Sequence, residues 1–472
     1  MTRLIALAAA ALVAGCAASP PRAPAAEAAE PAPVRAEVVR DGGSWLVTYR
    51  LPRQAPAWAF IRSAPVADSN VSWRGRSWTI LTPGVRLQRI GRYDVLTSES
   101  GGVPGVVRIR FRPFTDALAS DYVPALTFSD GTVALFDDHF AIFSVRSREA
   151  VAALPPDLNG QPIEDSGTVV TFRDGGDPLL HAGRRHRQIT LRNSSSYVLF
   201  GATNPVETEA MAAIIEPELP AWLAQALREM TPAILARYAS QFGPAPGGRP
   251  TLLASWAGPT PPEAASMNGG VVAGTILMRF NGGRVLTQNT TVRDMARWFI
   301  AHEGAHFWLG QAVRYERSRD AWIMEGGADL LAIRTVQALD PQYDWRAELN
   351  RAIRECASLS RSRGVARAEE RGEHRAYYAC GSLFAFLIEH RTGRPYSQFV
   401  RTLLDANRAD GVLTRAEWIA AAREQTRDDS LVGWIEETLD RGHAEPVAAI
   451  AARLRLSGIA FERAPNGLPR LR

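Results

Sequence analysis

His302-Glu303-Gly304-Ala305-His306 is followed eighteen residues later by Glu325, in the run Trp322-Ile323-Met324-Glu325-Gly326-Gly327-Ala328-Asp329-Leu330-Leu331 of this 472-residue chain. A helix carries residues four apart on one face, so His302 and His306 direct their imidazoles to a common point. Glu303 lies between them, within reach of that point without occupying it. The preceding residues read as the same helix, with a Thr-x-x-Asp cap from Thr291 and Asp294, then Met295, Trp298, Phe299, His302, His306 and Leu309 at helical spacing. Both histidines fall on the buried stripe. Two buried imidazoles and an intervening carboxylate leave several polar atoms unpaired unless they serve a metal, and the donor types predict Zn2+.

Catalytic zinc keeps three protein ligands and one open position. Glu325, at the start of a second apolar helix, supplies the third. Asp329, four residues on, shares its face and is expected to accept a hydrogen bond from a ligand histidine, fixing the tautomer. Glu325 as a helix-terminal charge and Asp329 in a surface pair is the competing reading, which the nearby histidines disfavour.

The spacing His302-x3-His306-x18-Glu325 and the Trp-x-x-Glu-Gly-x-Ala run resemble those of gluzincin metallopeptidases, namely the aminopeptidase-N-like and glycyl-aminopeptidase-like families. Tyr378-Ala379-Cys380-Gly381 is similar to their Tyr-x-Lys-Gly segment, whose tyrosine donates a hydrogen bond to the developing oxyanion. Tyr378 matches that tyrosine, with Tyr377 as its rival. The resemblance covers about residues 190–435. It implies an α+β chain in which a mostly helical, thermolysin-like catalytic domain follows the β-rich region, with zinc on His302, His306 and Glu325, Glu303 as general base and a peptide or protein as substrate. Cys380 departs from the family lysine, in a chain whose 54 basic residues are all arginine. A second departure lies in Ser266-Met267-Asn268-Gly269-Gly270-Val271-Val272, where the aminopeptidases carry a glutamate for the substrate's free amine. No acidic residue occurs between Glu263 and Asp294, so an amine anchor is not expected there. A reading of another class stays open, a zinc-stabilised scaffold or binding lipoprotein, although a structural site needs no general base such as Glu303.

Residues 1–16 have a short positive start, an apolar run too short to span a bilayer, and Val13-Ala14-Gly15-Cys16, which looks like a bacterial lipobox. Cys16 is expected to become the acylated first residue, anchoring the chain to the cell envelope; an ordinary secretory signal cut nearby is the alternative. Ala17 in place of aspartate resembles the outer-membrane pattern, facing the periplasm. Residues 17–34, rich in alanine and proline, read as a tether. In an exported chain the remaining cysteines, Cys356 and Cys380, are expected to pair, with two separate buried thiols as the alternative.

Residues 35–202 read as a β-sandwich-like domain, from β segments at 45–51, 77–82, 106–111, 132–136, 168–172 and 188–192 separated by turns such as Asp41-Gly42-Gly43 and Asp174-Gly175-Gly176. A catalytic domain over 203–345 follows, with a helix at 216–242 and strands at 251–256 and 271–280, and then a helical part over 346–472. Asp405 to Gly411 superficially resembles an EF-hand loop, but its glycine is misplaced, so a helix-to-helix turn with Thr414 capping the next helix is expected. Asp137-Asp138-His139 reads as a loop or solvated strand end. The formal net charge is +5. Arg184-Arg185-His186-Arg187 lacks the interleaved aromatics of a nucleic-acid surface and reads as a solvated strand edge, so no nucleic-acid partner is expected.

Overall fold

The computed structural model describes residues 32–472, apart from residues 68, 120, 156, 157, 159, 160, 166 and 247. The lipobox with Cys16 and nearly all of the tether lie outside the described residues. Residues 33–472 form one compact unit.

Three sheets share the first half of that unit. In the six-stranded sheet, Arg35–Asp41 lies between its hairpin partner Ser44–Arg50 and the parallel strand Val169–Asp174. A four-stranded and a five-stranded sheet complete the layers. Alternation sets the faces: in Val106–Phe111, Val107, Ile109 and Phe111 are buried while Val106, Arg108 and Arg110 face out. Val38, Val47, Trp58, Phe60, Ile109, Val198 and Phe200, drawn from all three sheets, meet in one core. The sandwich therefore has three sheets. Arg184–His186 is an edge strand, largely exposed, as the sequence predicts.

Asp137–Phe140 departs from expectation. It is a buried 3-10 turn, with Asp137 2% and His139 1% exposed, because Trp73, Phe136 and the carbonyl of Tyr122 enclose the imidazole.

A second five-stranded sheet opens the rest of the unit. Ala212–Ile215, Thr251–Trp256 and Thr275–Asn281 run parallel, and Ser266–Val272 closes one edge antiparallel to Thr275–Asn281. The strand expected at 271–280 is thus the turn and second arm of a hairpin, since Gly274 at φ 66° allows the chain to reverse. The helix expected from 216 begins at Ala221, because Pro217 opens a turn in which the Leu219 N–H donates to the Glu216 carbonyl at 3.1 Å, and Pro220 lacks the N–H that would continue a helix from it. An apolar seam of Leu126, Phe136, Tyr197 and Leu199 against Ile214, Leu253, Val272 and Leu277 joins this sheet to the β region. Against the sheet pack Ala221–Phe242 and Thr290–Ala305, the latter carrying the HExxH motif. Further helices follow, including Trp322–Leu339, Trp345–Leu359 and Arg375–Thr392. The helix-to-helix turn is as expected, although Asp405 to Asn407 still belong to Tyr396–Asn407 and the chain turns at 408–411, with a capping box between Thr414 and Glu417 opening Arg415–Thr426.

Candidate metal centre

Thr290–Ala305 starts at Asn289, whose side chain accepts the Val292 N–H at 3.0 Å. The cap expected from Thr291 and Asp294 is not formed; both lie inside the helix, where Asp294 pairs with Arg293 at 3.1 Å. Asn is a strong N-cap, and starting two residues earlier leaves the motif's face unchanged. Tyr238 fixes the other end of the helix by donating to the carbonyl of Ala301 at 2.9 Å. His306 is the C-cap residue and keeps a right-handed helical backbone, so the four-residue spacing still brings the histidines together.

Their Nε2 atoms lie 3.0 Å apart, and Glu325 Oε2 lies 3.4 Å from His302 Nε2 and 3.3 Å from His306 Nε2. Donors at about 2.0–2.1 Å from one ion in tetrahedral array stand ~3.3 Å from each other, so this triangle fits zinc. Both rings are oriented from behind. His302 Nδ1 lies 2.8 Å from Asp329 Oδ1, and His306 Nδ1 donates to the Leu309 carbonyl at 2.9 Å, which turns both Nε2 atoms toward Glu325. Glu303 Oε2 and Glu325 Oε2 are buried without a protein hydrogen bond, as expected of groups that await a ligand.

The electrostatics point the same way. Burial lowers the pKa of His302, yet Asp329 and Glu325 outweigh it and push the imidazole up to about 10. Burial likewise acts to raise the Glu325 carboxyl, but His306 and His302 hold it well below the usual carboxylate range. The pocket is built to hold positive charge. Burial pushes Glu303 upward, against His302 and His306, which suits a carboxylate that gains and loses a proton.

Tyr378 stacks on His302, with ring centroids 5.7 Å apart and planes inclined by 21°. Burial, then the negative charges of Glu325 and Glu303, raise its phenol far above the ordinary value, so the proton stays on. Tyr377 points elsewhere, accepting the Glu369 N–H at 3.3 Å. Cys356 and Cys380 are joined, their sulfurs 2.04 Å apart, tying the Tyr378 helix to Trp345–Leu359. Around the centre lie residues to which the sequence reading assigns no role there. Trp298 packs 5.3 Å from the His302 ring, the Arg375 guanidinium covers Tyr378 at 5.0 Å, and Gly269 faces Glu303. The one-turn spacings of Trp298 with His302 and of Arg375 with Tyr378 offer a local signal, and Gly269 offers none.

No family model and no curated protein matches the chain. Among solved structures, yeast leukotriene A4 hydrolase matches 87% of this chain and 67% of its own at 11% identity, with a TM-score of 0.50. A variant M1 zinc metallopeptidase from Deinococcus radiodurans bound to a Tyr-Ser-Ala substrate matches 87% of this chain and 93% of its own at 14% identity, with a TM-score of 0.46. Another structure of that Deinococcus radiodurans metallopeptidase gives 86%, 92%, 15% and 0.45 in the same order. The chain therefore resembles leukotriene A4 hydrolase in fold, a β-sheet region followed by a mostly helical one.

Proposed function

We propose that this protein hydrolyses peptide bonds with zinc, as an exported lipoprotein held at the bacterial cell envelope by Cys16. The observation that carries the chemistry is the triangle of His302 Nε2, His306 Nε2 and Glu325 Oε2 with the buried Glu303 carboxylate beside it. Zinc bound there supplies Lewis-acid chemistry, lowering the pKa of a water and polarising a carbonyl. Glu303 takes the proton of the attacking water and returns it to the leaving amine, a task that its upward-shifted carboxyl suits. Tyr378, kept protonated, donates to the carbonyl oxygen as negative charge develops on it. Asp329 and the Leu309 carbonyl keep both histidine rings in the ligating tautomer.

A peptide is favoured by the pairing of a general base with an oxyanion donor, and the anchor by the lipobox ending at Cys16. Glu303→Gln is expected to keep zinc at wild-type stoichiometry while cleavage of a broad peptide library falls by on the order of a hundredfold or more. Zinc-loaded wild type that cleaves nothing in that library would leave the scaffold reading. Cys16→Ser is expected to leave the membrane fraction; its recovery there at wild-type level overturns the anchor.

A further inference from the structure

Ser266–Val272 is the outer strand of the catalytic sheet, and it runs past the general base. A β-carbon on Gly269 would lie 3.1 Å from the Glu303 carboxyl carbon. The hairpin turns through Ala273-Gly274, with Val272 opposite Thr275. A two-residue turn closes on a hydrogen-bonded pair, so Val272, Gly270 and Asn268 bond inward while Val271, Gly269 and Met267 turn their main-chain groups to the open edge.

One of those outward carbonyls is already taken. Tyr122, which comes from the β region, donates its hydroxyl to the Val271 carbonyl at 2.8 Å. Its ring lies under the strand, on the face opposite the one that Gly269 turns to Glu303, since a β-carbon on Gly270 would fall 2.6 Å from Tyr122 Cε1, and the hydroxyl end of the side chain reaches the edge at Val271. The tyrosine is held from behind: His139 Nε2 donates to its carbonyl at 2.8 Å, Phe136 packs at 5.3 Å, and the Arg62 guanidinium covers the ring at 5.7 Å. The neighbouring Asp121 is engaged with Arg62 at 2.7 Å, so its carboxylate is committed to that pair.

An extended peptide binds an open strand edge through main-chain pairing. Pairing at Gly269 sets such a peptide beside Glu303, and the edge closes two residues further on, about 7 Å away at ~3.3 Å per residue. We propose that Tyr122 is the stop of the peptide channel, a specificity-determining residue that confines cleavage to within about two residues of a chain end. The stop acts by size and by occupying the Val271 carbonyl, with no demand for a free amine. This inference rests on the peptidase reading above.

The test is mass-spectrometric mapping of products from decapeptides with free and with acetylated amino termini, using the full chain loaded with zinc. Wild type is expected to cut within about two residues of one terminus and to lose less than about tenfold in rate on acetylation. Tyr122→Ala is expected to move cleavage inward, and Tyr122→Leu, which keeps apolar packing against Phe136, to move it part of the way. Wild-type cleavage at the middle of the decapeptides overturns the stop, as does an unchanged cleavage position in whichever of these variants keeps wild-type melting and zinc content. A far larger loss on acetylation overturns the size-based mechanism in favour of an amine anchor. Wild type that cuts none of the peptides removes the peptidase reading itself.

Discussion

Gly326 and Gly381 bring two helices to main-chain distance: a β-carbon on Gly326 would lie 2.2 Å from Gly381 Cα, and one on Gly381 2.4 Å from the Trp322 carbonyl oxygen. Glu325 adjoins the first glycine and Tyr378 lies one turn before the second. The separation of ligand and phenol is thus set by backbone contact. Gly326→Ala is expected to force the helices apart at a cost of about 1–3 kcal/mol or more, with turnover falling alongside. Urea denaturation measures the first effect and peptide hydrolysis the second; unchanged stability would show that the crossing yields freely.

Tyr378→Phe removes the donor facing the centre while leaving its ring on His302. Turnover is expected to fall on the order of a hundredfold, with zinc content unchanged. Tyr377→Phe gives up only the contact with the Glu369 N–H, about 1 kcal/mol of stability, and should keep its turnover. Steady-state kinetics on the two variants decide between them, and a larger loss in Tyr377→Phe would reverse the assignment.

The disulfide closes a loop of sequence separation 24 between two fully buried positions. Replacing Cys356 and Cys380 together with alanine is expected to cost roughly 3 kcal/mol. Because Cys380 lies two residues after Tyr378, turnover should fall in the folded variant too. Equal urea midpoints for variant and wild type would count against a structural role for the bond.

Asp137 and His139 titrate in opposition. Burial, helped by Asp138, pushes Asp137 up to about 7, while burial, opposed by Asp121, lowers His139 to about 4. Between pH 4 and 6.5 the folded protein holds a proton on Asp137 and the unfolded chain holds one on histidine, so the two linkages nearly cancel. Asp137→Asn keeps an oxygen for the Ser196 N–H, bonded at 2.7 Å in wild type, and leaves His139 alone. Its stability should be full above pH 6.5 and fall by up to ~1.4 kcal/mol per pH unit towards pH 4 relative to wild type, because the unfolded state then binds the extra proton. Chemical denaturation of both proteins across that range provides the check, and parallel curves would refute the pairing.

Local periodicity is enough to bring the candidate metal ligands together, because one helix turn relates His302 to His306 and Glu325 opens the next apolar helix. The Thr414 cap and the Val106–Phe111 alternation were legible for the same reason. What escaped depends on distant segments. Tyr122 and Val271 are 149 residues apart, and neither has a local pattern that announces the other. His139 looked solvent-facing beside two aspartates, yet Trp73 and Phe136 enclose it. The start of the HExxH helix was misplaced because Asn289, Thr291 and Asp294 all suit capping, and only backbone geometry chooses among them.

The position of Arg35–Asp41 has a mechanical consequence. The strand is flanked along its length by Ser44–Arg50 on one side and Val169–Asp174 on the other, and it is where the described chain enters the fold. Tension applied through the preceding residues would run along the strand axis and load both hydrogen-bond ladders in shear, all rungs at once, instead of peeling an edge strand rung by rung. If Cys16 anchors the chain as proposed above, a pull from that end meets a strand held by two ladders at once.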